Sequence, residues 1–196
     1  ISNPSSGMMG LMIAQEAMKR NFRVCLILGP GTLKVPCGIE FVKVISARDM
    51  FREVKSRYRH CDVAVMSAAV SDFRAAHSAR QKIAKEDFPN ELVLLPNPDI
   101  LAWAGDHKKR QILVGFAAQT HAVMQKGKEK LFKKHADLIV TNRIGKNDCG
   151  FSSEWIDAAI LDREGVVLPL QKMSKSNLAK KIVLEISRRI SDEGSN

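Results

Sequence analysis

Apolar runs of strand length alternate with helical stretches along almost the whole of this 196-residue chain, and that alternation leaves few architectures open. Met8 to Lys19 reads as a helix with Asn21 as its stop, and Arg23 to Gly29 as a buried strand ending at the breaker Gly29-Pro30-Gly31. Glu40 to Ile45 is a short strand, after which Ser46 caps a helix to about Tyr58. Asp62 to Ala68 is the next buried strand; it leaves through Ala69-Val70-Ser71-Asp72-Phe73-Arg74 into a polar loop with Lys82 and Lys85. Glu91 to Leu95 is a strand, and Asn97-Pro98-Asp99 opens a helix through Trp103. Gln111 to Phe116 is a strand that exits through Ala117-Ala118-Gln119-Thr120, a basic helix spans about His121 to His135, and Leu138 to Asn142 is a further strand. Such repetition predicts a mostly parallel sheet with helices on both faces.

The rhythm changes near the end. Trp155 to Leu161 and Val166 to Leu170 flank Asp162-Arg163-Glu164-Gly165, the pattern of a hairpin with a glycine turn, expected to add an antiparallel flap or arm. A final amphipathic helix starts after Ser174 and runs to about Ile190. No repeat, low-complexity tract or linker interrupts residues 1–196, so a single domain is expected. With Ile at position 1 and a turn directly behind it, the expectation is a piece of a longer protein whose preceding strand feeds that turn.

No apolar run reaches membrane-spanning length and no signal peptide is visible, so no membrane partner is expected. The four cysteines, Cys25, Cys37, Cys61 and Cys149, form no C-x-x-C pair, which argues against a disulfide frame or zinc site. Cys25 and Cys61 fall in apolar runs and read as small buried hydrophobes; the cytoplasm is the expected compartment. A net charge of +10 invites an anionic partner. Aromatic residues make up only 6% and do not interleave with the basic runs, so small anions are favoured over nucleic acid.

Ligands of open parallel sheets bind beyond the carboxyl ends of the strands. There the sequence places the turn Ser5-Ser6-Gly7, whose amides at a helix N-terminus make an anion site suited to phosphate. Ser67-Ala68-Ala69 with Asp72, Gly115-Phe116-Ala117-Ala118 and Thr141-Asn142 occupy the other strand ends. Two Ala-Ala exits fit either tight helix packing or room kept for a ligand. Asp72 fits a metal or ligand-hydroxyl contact and a local turn cap equally well. Lysines in a loop such as that of Lys82 are mostly solvated, but a phosphate site with no other obvious lysine needs a mobile cation. Phe116 fits core or base stacking, and Lys126, Lys130, Lys133 and Lys134 share one face of their helix, a solvated stripe from which one or two cations reach a phosphate chain. No G-x-S-x-G elbow, HExxH helix or metal-spaced histidines occur, which leaves chemistry by positioning and charge neutralisation, such as phosphoryl or nucleotidyl transfer.

Several segments in this order form a recognisable set: Ile1-Ser2-Asn3-x-Ser5-Ser6-Gly7-x-Met9-Gly10, Ala68 to Arg74, Lys82-Ile83-x-Lys85, Asn97-Pro98-Asp99-Ile100-Leu101, Val114 to Ala118, and Asp137-Leu138-Ile139-Val140-x-Asn142. Together they resemble the phosphopantothenoylcysteine synthetase family, the ligase half of a bifunctional bacterial coenzyme A biosynthesis protein, over nearly the whole chain. The Asn-Pro-Asp-Ile-Leu segment is similar to the CTP-using bacterial branch rather than the ATP-using one. The resemblance implies an α/β, Rossmann-like fold, a homodimer to which the hairpin contributes, and Mg²⁺ held mostly by the triphosphate. It also implies a ligase that joins 4′-phosphopantothenate to cysteine through an acyl-cytidylate, and a flavin-dependent decarboxylase fused in the parent protein. Asn3 and Lys82 then match the family's catalytic positions, Asn3 toward the acyl intermediate and Lys82 toward the transferring phosphate. Ser5, Gly7, Gly10, Ser67, Ala68, Asp72, Lys82, Pro98, Asp99, Ile100, Leu101, Phe116, Lys130, Lys134 and Asn142 match nucleotide-contacting positions; Asn3, Ala68, Ala69 and Asp72 match the phosphopantothenate pocket.

The chain departs from that family's usual pattern in three places. Met8 and Ala84 stand where lysines are common, and Gln119 stands where Glu is usual. Two other classes stay open on residues alone. A nicotinamide-dependent oxidoreductase needs a G-x-G-x-x-G turn and an acidic end to the second strand, which here ends Gly29-Pro30-Gly31. A basic nucleic-acid-binding domain predicts steeply salt-dependent binding to DNA or RNA.

Overall fold

A computed structural model describes residues 5–77, 81, 84, 91–145 and 153–193. In chain order the elements are α1 (Met8–Lys19), β1 (Cys25–Leu28), β2 (Glu40–Lys43), α2 (Ala47–Arg57) with a 3₁₀ turn at Tyr58–His60, β3 (Val63–Met66), β4 (Phe73–Ala75), β5 (Leu94–Pro96), α3 (Ile100–Asp106), β6 (Ile112–Gln119), α4 (Val123–Lys133), β7 (Leu138–Arg143), β8 (Trp155–Leu161), β9 (Val166–Ser174) and α5 (Lys175–Glu193).

The helix ends follow from local chemistry. Asn21 lies beyond α1 in the left-handed region at φ 63°, and the Phe22 amide reaches back to the Ala17 carbonyl at 3.1 Å, closing the last turn. At α2 the Ser46 hydroxyl accepts the Asp49 N–H while the Asp49 carboxylate accepts the Ser46 N–H, a reciprocal capping box. Ser46→Ala is expected to lower stability by about 1 kcal/mol in chemical unfolding, whereas Ser46→Asn should leave it nearly unchanged.

The main sheet has the order β3-β6-β7-β8-β9, with β3, β6 and β7 parallel and β8 and β9 antiparallel. Strand alternation divides its core. Ile112, Val114, Leu138, Val140 and Ile160 face α1 and α5, where they meet Ile13, Leu178, Ile182 and Ile186. Leu113, Ala117 and Ile139 face the other way, onto Leu101, Ala104, Leu131 and Ala136. Apolar strands covered on both faces explain why the sequence shows unbroken runs rather than alternation there. Helices thus lie on both faces, and the fold is α/β and Rossmann-like in its parallel part.

Several expectations need correction. The hairpin is not a flap: β8 is an interior strand, with Ile139 to Arg143 of β7 paired against Leu161 to Asp157, because Ile156, Ala158 and Ile160 bury under α5. Its second strand runs on to Ser174 rather than stopping at Leu170. The segment Phe73–Ala75, read as a loop, forms β4 and pairs antiparallel with β5, and β5 sits at Leu94–Pro96, not Glu91–Leu95. Cys25 is exposed rather than buried, on a strand that among the described residues pairs with β2 in a two-stranded sheet; Cys61 is half-buried, and Cys149 lies outside the described residues.

Candidate active-site cleft

One continuous cleft of about 1910 Å³ opens over the carboxyl ends of β1, β3, β6 and β7 and extends down between β1 and β3. Its upper part is built from four chain segments.

The opening turn enters α1 at Gly7, which takes φ 71° and ψ −1°, the left-handed region that favours glycine. Ser5 and Ser6 are exposed, and their hydroxyls lie 3.4 Å from the Gly7 and Met8 amides respectively. The first turn of α1 carries no acidic residue, and Gly7 provides no side-chain cap. The helix dipole at this mouth is therefore open to an anion. A Cβ on Gly10 would lie 2.9 Å from Ser67 Oγ, so its absence lets α1 press against the exit of β3.

The second segment is the loop after β3. The Asn97 side chain donates to the Ser71 carbonyl at 2.9 Å, its N–H donates to the Asp72 carbonyl at 2.8 Å, and Arg74 donates to the Pro96 carbonyl. These bonds clip Ala68, Ala69 and the exposed Asp72 to the Pro98-Asp99 turn. Asn97 was not singled out as a site residue; its position before a proline, which holds it extended, was the available signal.

The third is the start of α3. Asp99 caps the helix by accepting the Ala102 N–H at 2.9 Å, and its other oxygen takes a bond from Lys134 Nζ at 2.5 Å. Burial alone would raise the Asp99 carboxyl, but the Lys134 bond, the Ala102 amide and the charges of Lys134 and Lys130 outweigh it and hold it below the usual range. Ile100 and Leu101 border the cleft and are buried. Gly115 in β6 leaves room for the Leu101 side chain: a Cβ there would meet both Leu101 and Ile139 at 2.7 Å.

The fourth is α4. Its lysine stripe divides. Lys130 and Lys134 turn into the cleft, Lys133 stays exposed, and Lys126 pairs with the His121 ring at 2.9 Å. Lys130 Nζ donates to the Phe116 carbonyl at 2.6 Å. Burial depresses its pKa, with Lys134 pushing the same way and Asp99 and Asp72 opposing. Phe116 itself is half-buried at the cleft wall, and Asn142 flanks it from β7. Thr141 is buried and donates to the Val123 carbonyl at 2.9 Å, and Gly127 lets α4 sit close enough for that bond.

Of the positions proposed from sequence, Ser5, Gly7, Gly10, Ser67, Ala68, Ala69, Asp72, Pro98, Asp99, Ile100, Leu101, Phe116, Lys130, Lys134 and Asn142 all border this one cleft. Asn3, Lys82 and Lys85 lie outside the described residues.

The Asp99–Lys134 pair gives a pH dependence of defined sign. A carboxyl held below its ordinary value stabilises the fold fully above that value and loses the contribution as pH falls through the depressed one. Asp99→Asn keeps the helix cap but removes the charge, so it is expected to flatten the acid limb of the melting temperature below about pH 4. Superimposable acid limbs in the two proteins would contradict the pairing.

A Rossmann-like sheet with an uncapped glycine turn and two inward lysines at its carboxyl edge defines an α/β domain suited to a phosphorylated ligand. A family model described as the DNA/pantothenate metabolism flavoprotein C-terminal domain matches residues 1–190, and the chain belongs to that family, which bears out the resemblance read from its motifs. It is 38% identical over 187 residues to the Coenzyme A biosynthesis bifunctional protein CoaBC of Bacillus subtilis (strain 168), covering 95% of this chain and 46% of that protein. It is 34% identical over 200 residues to the protein of the same name from Escherichia coli (strain K12), covering 98% and 48%. A crystal structure of the C-terminal domain of a CoaBC protein superimposes with a TM-score of 0.81 at 30% identity, covering 98% of this chain and 87% of that one. The chain spans about half the length of the curated relatives it matches.

Proposed function

We propose that this chain is the ligase module of coenzyme A biosynthesis that joins 4′-phosphopantothenate to cysteine at the expense of CTP. The observation that carries the reading is the gathering of the described motif positions around one anion-suited cleft, in a chain matched by its family over residues 1–190.

In this reading a carboxylate oxygen of phosphopantothenate attacks the α-phosphorus of CTP, the bond to the β-phosphate oxygen breaks, and pyrophosphate leaves. The product is a mixed anhydride, whose carbonyl is far more open to attack than a carboxylate. The amine of cysteine, having given up a proton, then attacks that carbonyl and CMP departs. The opening turn at Ser5 to Gly7 receives phosphate oxygens on its amides. Lys130 and Lys134, held by the Phe116 carbonyl and by Asp99, set a fixed positive wall across the cleft. Lys82 supplies positive charge to the phosphate in transfer, and the Asn3 amide donates to the oxygen of the acyl intermediate.

Among the described residues no three His, Cys, Asp or Glu side chains converge as a metal cage. Asp72, exposed at the cleft, is a suitable outer carboxylate for an ion that arrives on its nucleotide, so the residues fit a Mg²⁺ carried by the triphosphate. Assembly as a homodimer, residence in the cytoplasm and fusion to a flavin-dependent decarboxylase in the parent protein belong to the same proposal. Among the described residues no helix is long and apolar enough to cross a membrane.

The test is pyrophosphate release by the parent protein with Mg²⁺. Release is expected only when CTP and 4′-phosphopantothenate are present together, with CTP preferred over ATP and UTP, and cysteine needed for CMP release. Turnover of the nucleotide independent of phosphopantothenate would overturn the reading.

A further inference from the structure

Arg74 stands at the root of the β4–β5 ribbon, half-buried, and lines the cleft together with Asp72 and Pro98. Its hydrogen bonds to the described residues all leave from one nitrogen. Nη1 donates to the Pro96 carbonyl and, at 3.5 Å, to Asn97 Oδ1. A guanidinium carries five N–H donors, so three remain, on Nε and Nη2. Among the described residues none of the three meets an acceptor, and no carboxylate pairs with the charge. We propose that the Nε–Nη2 edge of Arg74 is a bidentate fork for a phosphate group of a reactant in the cleft. The identity of that reactant rests on the ligase reading; the fork itself does not.

Three observations carry the proposal. The first is geometric. The Nε–H and Nη2–H bonds point the same way in one plane, at a spacing that matches two oxygens of a phosphate. Both bonds made by Nη1 hold that plane and leave this edge unoccupied. The second is charge. Holding a carbonyl asks only for a neutral donor, and the same clip already has one in the Asn97 amide, which donates to the Ser71 carbonyl at 2.9 Å. A full positive charge set half-buried against neutral oxygens is costly to desolvate unless an anion completes it. Neighbouring groups do not supply that anion. Asp99 is paired with Lys134 at 2.5 Å, and Asp72, two positions away, forms no ion pair with Arg74 while its charge acts on Lys130. The third is rigidity. Arg74 pairs with Leu95 across the ribbon, the Ser71 hydroxyl donates to the Phe73 carbonyl at 2.9 Å, and the Asn97 N–H donates to the Asp72 carbonyl at 2.8 Å. The guanidinium is therefore ordered before a ligand arrives, so binding loses little further side-chain entropy. A lysine in its place offers charge without the planar edge.

Titration calorimetry on the parent protein with Mg²⁺ tests this with three probes: CTP, inorganic pyrophosphate and 4′-phosphopantothenate. Arg74→Met is expected to weaken at least one of them by about 10–100-fold. Loss confined to CTP and pyrophosphate assigns the fork to the phosphates of the nucleotide, and loss confined to 4′-phosphopantothenate assigns it to the phosphate of that substrate; either supports the proposal. Arg74→Lys keeps the charge and a donor for Pro96 but lacks the fork, so it should recover only part of the loss. Asn97→Ala loosens the same clip with the guanidinium still present and should weaken the probes clearly less. Unchanged affinity for all three probes in Arg74→Met would overturn the proposal, as would failure of the unaltered protein to bind any of them. Equal losses in Arg74→Met and Asn97→Ala would overturn it too, because Arg74 would then only hold the ribbon. Should Arg74→Met not fold, Arg74→Lys decides: affinities equal to those of the unaltered protein refute the fork. The ligase reading is judged apart, by pyrophosphate release from the unaltered protein, and its failure leaves the dependence of pyrophosphate binding on Arg74 as a separate result.

Discussion

Gly105→Ala is expected to destabilise the protein by about 3 kcal/mol, lowering its melting temperature by about 10 °C. The sign is the informative part. Gly105 lies inside α3, where alanine ordinarily gains about 1 kcal/mol over glycine. Here a Cβ would lie 2.0 Å from the carbonyl oxygen of Lys134 and 2.9 Å from its carbonyl carbon. Both atoms belong to backbone and cannot rotate away, so α3 and the end of α4 must separate. That separation would also pull Lys134 from Asp99, across which the cleft is braced. Gly127→Ala is the comparison, because its Cβ would meet side-chain atoms of Thr141 and Leu161 at 3.0–3.2 Å, which shift by a few tenths of an ångström. It should cost clearly less. An unchanged or raised melting temperature for Gly105→Ala would refute the close approach of the two helices.

The second large effect is on rate. Lys82→Gln is expected to lower pyrophosphate release by about 10²–10³-fold while the melting temperature stays at its original value. The physical reason is that a phosphoryl group in transfer spreads negative charge over its oxygens, and only a cation that follows it stabilises the transition state more than the ground state. Lys130 and Lys134 do not replace it, because each is already committed to an internal acceptor. Lys130→Met should behave differently, losing stability along with binding, since it strips the Phe116 carbonyl of its buried donor. Undiminished release by Lys82→Gln would remove that residue from the proposed mechanism without touching the fold.

Much of the architecture was legible along the chain. Helix α1 was placed with its observed bounds because Gly7 and Asn21 mark its ends by backbone preference, a purely local property. The Ser46 cap and the Gly165 turn were readable for the same reason. Strand β4 was not, and β5 was read with shifted bounds, since three-residue strands carry too little periodicity to register and are defined by pairing across the Asn97 clip. The hairpin was seen but misplaced: its glycine turn is local, whereas its burial beside β7 depends on where α5 lies. The lysine stripe on α4 shows the same limit, because helical spacing groups Lys126, Lys130, Lys133 and Lys134, and only the packing of α4 against β6 chooses Lys130 and Lys134 for the cleft.

The sequence by itself determined the helices and the longer strands, the glycine turn and the set of polar residues at the strand ends, because each follows from local sterics and from a pattern of apolar residues. Only the tertiary structure decided which of them converge, through close approaches that leave no room for a Cβ at Gly105 and Gly115 and through one carboxylate, Asp99, that joins a helix cap to a lysine on a different helix. Those contacts join residues far apart in the chain, and their energies depend on distance in space rather than on position in sequence.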